Sequence, residues 1–252
     1  MSERGIVYVA TGSTYLAEAI ASARYARAVY PDIGIALFAD MDSAAVCEII
    51  EPDLFTVIKP LNAPQFSVRD KLPALLQTPF DQTLFLDTDV ILASPVDEVF
   101  DALEYFDLMV AMAPRRFEYQ WEITNFPASI PQLNTGVIAY HASELIFEFF
   151  KLWGEKSDMS PSGSDQPGFR VALLEQRIRY GVMPSEYNFR VPFPQSTWGL
   201  VKIFHCHYLI ANPGEAAEIM TNINKNRNIR AWAGLPANKV SHRPVISPVK
   251  IS

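Results

Sequence analysis

Cysteine is scarce in this chain. Only Cys47 and Cys206 occur in 252 residues, far apart and without metal-like spacing as a pair, so a disulfide scaffold is excluded and both read as free thiols of a reducing compartment. Long apolar runs are missing too. No stretch approaches the roughly 18–20 residues of a membrane-spanning helix, and the opening MSERGIVYVA lacks the basic flank and apolar segment of a signal peptide. The expectation is a cytoplasmic protein without a transmembrane segment. Positive charge is in deficit, 21 Lys and Arg against 28 Asp and Glu for a net charge of -7, which argues against a general nucleic-acid-binding face and for a small-molecule partner. An acidic protein can still hold an anionic ligand through a metal and local donors. Internal repeats and low-complexity tracts are absent as well. What the chain has is core material: 49% hydrophobic and 12% aromatic residues are ample for one large domain or two small ones.

Short β-rich runs alternate with helical patterns from the start. GIVYVA (5–10) ends in TGST and is followed by a segment whose Leu16, Ala19, Ile20, Ala23 and Ala26 recur at helical spacing. IGIALFAD, AAVCEII, LFTVI and VRDKLPALLQT continue the alternation into TLFLD. This predicts an α/β fold with a mainly parallel sheet flanked by helices, whose ligands sit beyond the carboxyl ends of the strands. Thr11, Asp40, Asp87 and Asp89 fall at such ends. Further on, DLMVAMAP (107–114) and TGVIAYH (135–141) read as strands and SELIFEFFKLWGEK (143–156) as an amphipathic helix. Between those strands runs an aromatic segment, 115–132, carrying Phe117, Tyr119, Trp121 and Phe126, whose length reads either as a functional loop or as a small packed subdomain. The expected organisation is one domain over 1–234, in two halves (1–106 and 107–234), then a Pro-containing tail (235–252).

The Asp-x-Asp pattern occurs twice, DMD at 40–42 and DTD at 87–89. With 13 aspartates in the chain, chance supplies about 0.7 such pairs, so context must decide. The second pair follows the buried run TLFL. Asp87 and Asp89 leave that strand on one side, because alternate residues share a face, and a hard Mg²⁺ or Mn²⁺ bound to a diphosphate takes a few carboxylate oxygens arranged in this way. A turn with two solvated aspartates is the other reading. Three later places bear on the choice. QLNTGVIAYHAS sets Asn134 and Gly136 at a strand start, where an amide can bond a hydroxyl and a glycine permits close approach. GSDQPGFRVALLEQ opens a helix at Asp165 and Gln166, with Asp165 also readable as a plain helix cap. SEYNFR offers Asn188, and VKIFHCHY ends a strand in His205 and His207, either of which is also readable as an ordinary core or surface histidine.

In this order, the TGSTYLAEA, FAD, RDKLPALLQTPFDQTLFLDTD, LNTGV, SDQ, YNFR and IFHCHY segments resemble the nucleotide-sugar-dependent glycosyltransferases of the GT-A fold, and most of all the glycogenin and bacterial galactosyltransferase branch, family 8-like. The resemblance runs from about residue 5 to 210, and it implies a nucleotide- and metal-binding half (1–106) and a sugar and acceptor half (107–234), in which the aromatics of 115–132 would offer faces for a sugar ring or other flat acceptor. It implies that Asp87, Asp89 and His205 (His207 being the alternative) hold Mn²⁺ or Mg²⁺. It implies nucleotide contacts at Ala10, Thr11, Tyr15, Asp40, Lys71 and Thr88, with Tyr15 facing the base, and a sugar surrounded by Asn134, Gly136, Asp165 and Asn188. Gln166 and Asp165 would line the reacting centre of a transfer from a UDP-sugar to a glycan or other hydroxyl acceptor, with retention; an inverting enzyme would instead need a carboxylate base, and Asp165 is available for that. One departure stands out: the lysine-glycine-tryptophan type ending that follows the late histidine in that branch is replaced here by HCHYLIANPGE.

Two rival functions share the same residues. A phosphatase of the haloacid dehalogenase type would use Asp87 as nucleophile and Asp89 as acid/base, although that motif normally opens its domain and no later acidic pair completes a magnesium site. A non-catalytic nucleotide-sugar-binding protein on the same fold is the other. A nucleotidyltransferase is disfavoured, because no Gly-rich phosphate loop with a following basic residue succeeds the first strand.

Overall fold

The computed structural model describes residues 3–115, 127 and 129–240. Its first half alternates as the hydrophobic pattern predicts. Strand β1 (Arg4–Ala10) passes through Gly12, at φ 88°, into α1 (Ser13–Val29); β2 (Gly34–Ala39) leads into α2 (Met41–Ile50). After β3 (Val57–Pro60), a 3-10 turn at Val68–Asp70 continues as α3 (Lys71–Leu75) and delivers β4 (Gln82–Leu86). The chain then forms β5 (Val90–Leu92), α4 (Asp97–Asp101), β6 (Leu108–Met112), β7 (Leu133–His141), α5 (Glu144–Ser157) and α6 (Gln166–Glu175). The remainder comprises β8 (Tyr180–Met183), β9 (Phe189–Arg190), β10 (Gln195–Thr197), β11 (Ile203–His205), α7 (His207–Ala211), α8 (Pro213–Ile223) and β12 (Arg230–Trp232).

Every residue of β2 and of β4 is buried, as expected of strands covered on both faces. The main sheet runs β3-β2-β1-β4-β7-β6-β8, and β7 alone is antiparallel to its neighbours. The expected α/β class with a mainly parallel sheet is thus the observed one. The reversal of β7 was not legible, because an all-buried strand reads the same in either direction. On one face Ile6, Tyr8 and Leu37 pack against Ala19, Ala23 and Cys47 of α1 and α2; on the other, Val7, Phe38, Phe85 and Tyr140 meet Phe149, Phe150, Trp153 and Phe169 of α5 and α6. Both cysteines are buried free thiols.

A three-stranded sheet, β5-β11-β9, hangs from the edge where β4 ends. Its own core, Phe189, Val191, Phe204, Leu209 and Ile210, anchors it. Among the described residues no helix is long and apolar enough to cross a membrane. Phe117, Tyr119, Trp121 and Phe126 lie outside the described residues, as does the tail beyond 240. The part of the tail that is described ends in a 3-10 turn, Ala237–Lys239, whose lysine pairs with Glu215.

The approach of α6 to the sheet edge is set by α5. Trp153 Nε1 donates to the Asp165 carbonyl at 2.8 Å, and Ser157 Oγ lies 3.3 Å from the same oxygen. Gly168 permits this closeness, since a Cβ there would stand 2.5 Å from Ser157 N and 2.7 Å from Ser157 Cα, backbone that cannot step aside. Gly168→Ala is therefore expected to destabilise the fold by about 1–3 kcal/mol, read as an earlier thermal unfolding transition.

Candidate active site

Asp87 follows β4 and Asp89 precedes β5, so both carboxylates leave the sheet at the same edge. Because β7 runs the opposite way, its beginning lies beside the end of β4: Leu86 pairs with Val137, and the Asp87 amide donates to the Gly136 carbonyl at 2.8 Å. β11 pairs antiparallel with β5, which sets His205 opposite Val90. One ligand atom from each of Asp87, Asp89 and His205 then lies within 4.8 Å of the others. His205 Nε2 is 3.0 Å from Asp89 Oδ1 and 3.9 Å from Asp87 Oδ2.

The hydrogen-bond network fixes which nitrogen of His205 carries the proton. The Gly136 N–H can only donate, and it donates to Asn134 Oδ1 at 3.1 Å. The atom of Asn188 that meets the same oxygen at 2.8 Å must therefore be its amide nitrogen, so Asn188 Oδ1 faces His205 Nδ1, also at 2.8 Å. Nδ1 is thus the protonated nitrogen, and Nε2 presents a lone pair to Asp89 Oδ1. Two acceptors 3.0 Å apart call for a cation between them. Burial first, then the nearby Arg190 charge, push the His205 pKa below its ordinary value, while Asp89 and Asp87 partly oppose them. A neutral imidazole with two carboxylates suits Mn²⁺ or Mg²⁺, and the Asn188 contact behind the ring is the usual orienting bond of a metal-ligating histidine.

Lys71 joins the two halves of the site. Its Nζ lies 3.3 Å from Asp87 Oδ1 and 3.1 Å from Asp165 Oδ2, with the side chain only 7% exposed. Burial would lower its pKa, but the charges of Asp165 and Asp87 outweigh that and raise it, so it is an ammonium at neutral pH. Asp165 Oδ2 also accepts from Thr135 Oγ1 at 2.7 Å. Gln166 stands next to this group, and both line a cavity of about 410 Å³ together with Thr11, Tyr15, Asp87, Thr88, Asp89 and Asn134.

At the end of β1, Thr11 Oγ1 donates to Asp70 Oδ2 at 2.9 Å. Asp70 also accepts from the amides of Gln65 and Ser67, holding a cavity-lining loop in which Ala63 and Phe66 adopt positive φ, 51° and 53°. Asp40 is engaged at both oxygens, accepting from Gly12 N at 2.7 Å and capping α2 through Ser43 N at 3.1 Å. It does not line the cavity, and neither does Ala10 at the end of β1. Thr88 turns its hydroxyl to Glu18, 2.9 Å away. Asn188 stands behind His205 rather than on the cavity wall, and Gly136 lies under the ligands: a Cβ there would sit 2.3 Å from His205 Cε1 and 2.6 Å from Asp87 Oδ2.

Several participants carried no motif. Glu18 is buried in mid-α1, where helical spacing assigns it only to a helix face; its Oε1 meets His207 Nδ1 at 2.8 Å, while His207 Nε2 is 3.7 Å from Asp89 Oδ2. Burial lowers the His207 pKa, but Asp89 and Glu18 outweigh it and push it up to about 9. His207 therefore carries charge where His205 carries none. Thr135 and Asp70 were passed over because a threonine and an aspartate beside stronger motifs look ordinary.

Asn188→Ala is expected to weaken Mn²⁺ affinity by about 10–100-fold, measured by calorimetry or Mn²⁺ electron paramagnetic resonance, with the circular dichroism spectrum unchanged. Gly136→Ala should weaken it further, because it displaces two ligands directly.

Comparison with known proteins bears on the fold. The family model Mannosyl_trans3, a candidate mannosyltransferase family, matches residues 3–112, less than half of the chain. No curated protein sequence matches significantly. Among solved structures, the galactosyltransferase LgtC in complex with donor and acceptor sugar analogues is similar at a TM-score of 0.62 and 15% identity, over 93% of this chain and 98% of that one. Mouse xyloside xylosyltransferase 1 is similar at 0.53 and 14% identity, over 80% of this chain and 96% of that one. The glycosyltransferase GlyE of Streptococcus pneumoniae, at 0.58 and 13% identity, matches 97% of this chain but only 58% of its own length. The sheet order, the single reversed strand and the extent of these matches together give the chain the GT-A fold.

Proposed function

We propose that the protein is a glycosyltransferase that moves a sugar from a nucleoside diphosphate, UDP, to an acceptor hydroxyl with retention of anomeric configuration. The observation that carries this reading is the Asp87, Asp89 and His205 group sharing one cavity with Lys71, Asp165 and Gln166. The first three would hold Mn²⁺ or Mg²⁺, which when bound neutralises charge developing on the departing diphosphate as a Lewis acid. Thr11 and Tyr15 flank the nucleotide end of the cavity. Gln166, beside the buried Asp165–Lys71 pair, faces the anomeric carbon, and the bound donor and acceptor are held in near-attack geometry. In the transfer, the bond from the anomeric carbon to the diphosphate oxygen breaks, the acceptor oxygen bonds to that carbon from the same face, and its proton passes to the leaving phosphate. Asp165 Oδ2 is already engaged by Lys71 and Thr135, so the residue serves to hold rather than to take up the acceptor proton. The matches to a mannosyltransferase family model and to glycosyltransferase structures support the reading, as does a solved active-site mutant of LgtC in which a glutamine is replaced by glutamate.

The phosphatase alternative asks Asp89 to act as a proton donor. Burial raises the Asp89 carboxyl, but His205, His207 and Arg190 outweigh it and hold it well below the usual range, so it carries no proton at neutral pH. That chemistry is disfavoured.

Calorimetric titration with UDP in the presence and absence of Mn²⁺ tests the proposal, with GDP for comparison. Metal-dependent binding, lost in Asp89→Ala, is expected; no nucleotide binding under any of these conditions would sink the reading. Once a donor is found, Gln166→Ala should lower the rate constant for donor turnover by about 10²–10³-fold, with UDP affinity nearly unchanged, and proton NMR of the product should report the retained anomer.

A further inference from the structure

Among the described residues, the lysine and arginine side chains that line the cavity are Lys71 and Arg190. Lys71 is matched by Asp87 and Asp165. Arg190 is not matched in this way. It ends β9, and among the described residues its guanidinium forms no ion pair. Its Nε is buried without a hydrogen-bond partner, a costly state for a charged donor. Its Nη1 donates to His205 Nε2 at 3.3 Å, the same atom that offers its lone pair toward the carboxylates. The Phe193 ring, 5.6 Å from the guanidinium carbon, supports the side chain from behind.

This arrangement is electrostatically incomplete. A divalent cation on Asp87, Asp89 and His205 would stand next to a guanidinium that has no ion pair among the described residues, and His205 Nε2 cannot serve both. An anionic oxygen lying between cation and guanidinium resolves the conflict, because it is attracted by each and frees the histidine lone pair. A planar fork of N–H donors fits phosphate oxygens in pairs. We infer that Arg190 grips the diphosphate of the donor beside the cation and takes up part of its charge as the sugar departs. This inference rests on the nucleotide-sugar reading.

The test compares wild type, Arg190→Ala and Arg190→Lys in three titrations: Mn²⁺ alone, UDP at saturating Mn²⁺, and uridine at saturating Mn²⁺ followed by NMR shifts. Arg190→Ala should weaken UDP by about 10–100-fold and leave uridine unchanged, while Mn²⁺ alone binds more tightly because a neighbouring positive charge is gone. Arg190→Lys should keep the Mn²⁺ affinity of wild type and recover only part of the UDP affinity, which also decides the matter if the alanine variant fails to fold. Equal UDP affinity in wild type and either variant would overturn the inference while leaving the glycosyltransferase reading intact. A parallel loss of Mn²⁺, UDP and uridine would mark Arg190 as merely structural and overturn it too. Absence of UDP binding in wild type would remove both.

Discussion

The antiparallel pairing of β7 with β4 is the constraint on which the site depends. In a wholly parallel sheet only strand ends reach the ligand edge, and the beginning of every strand lies at the far side. Reversing one strand brings the Asn134–Gly136 start of β7 against Asp87, and the Asp87 amide to Gly136 carbonyl bond fixes that junction. The missing side chain of Gly136 leaves the volume that Asp87 Oδ2 and His205 Cε1 fill. One backbone N–H at the same residue then orients Asn134, Asn188 and His205 in turn. A metal-ligand geometry is in this way set by main-chain hydrogen bonding, which tolerates little displacement.

Charge is distributed so that the site is poised for ligands of both signs. Asp89 sits between a neutral histidine and a charged one, and Glu18 behind His207 sustains that difference. Lys71 holds Asp87, after β4, and Asp165, before α6, together at a burial where an unpaired ammonium would be unfavourable. Arg190 adds a charge that has no ion pair among the described residues.

Much of the first half was legible in the sequence, since β1, β2 and β4 are continuous apolar runs and α1 repeats at helical spacing. The acidic pair after TLFL could be assigned to the ligand edge because strand periodicity puts residues 87 and 89 on one side. Asp40 shows the limit of such reasoning: the same pattern at 40–42 marks a residue whose carboxylate is consumed by capping α2 and bonding Gly12. Glu18 shows the converse, a helical glutamate with no motif around it that reaches the site only because α1 packs beside β5 and α7.

By itself the sequence determined the alternating elements of the first half and the sheet class, because hydrophobic period is a local property. Tertiary structure alone decided that His205 joins Asp87 and Asp89 while His207 turns to Glu18, that Asn188 stands behind His205 instead of in the cavity, that Lys71 bridges Asp87 and Asp165, and that Arg190 lines the cavity with no ion pair among the described residues. Those outcomes depend on strand direction and on contacts between residues 16 to 189 positions apart, and the composition of a segment carries no information about the partner that the fold will bring to it.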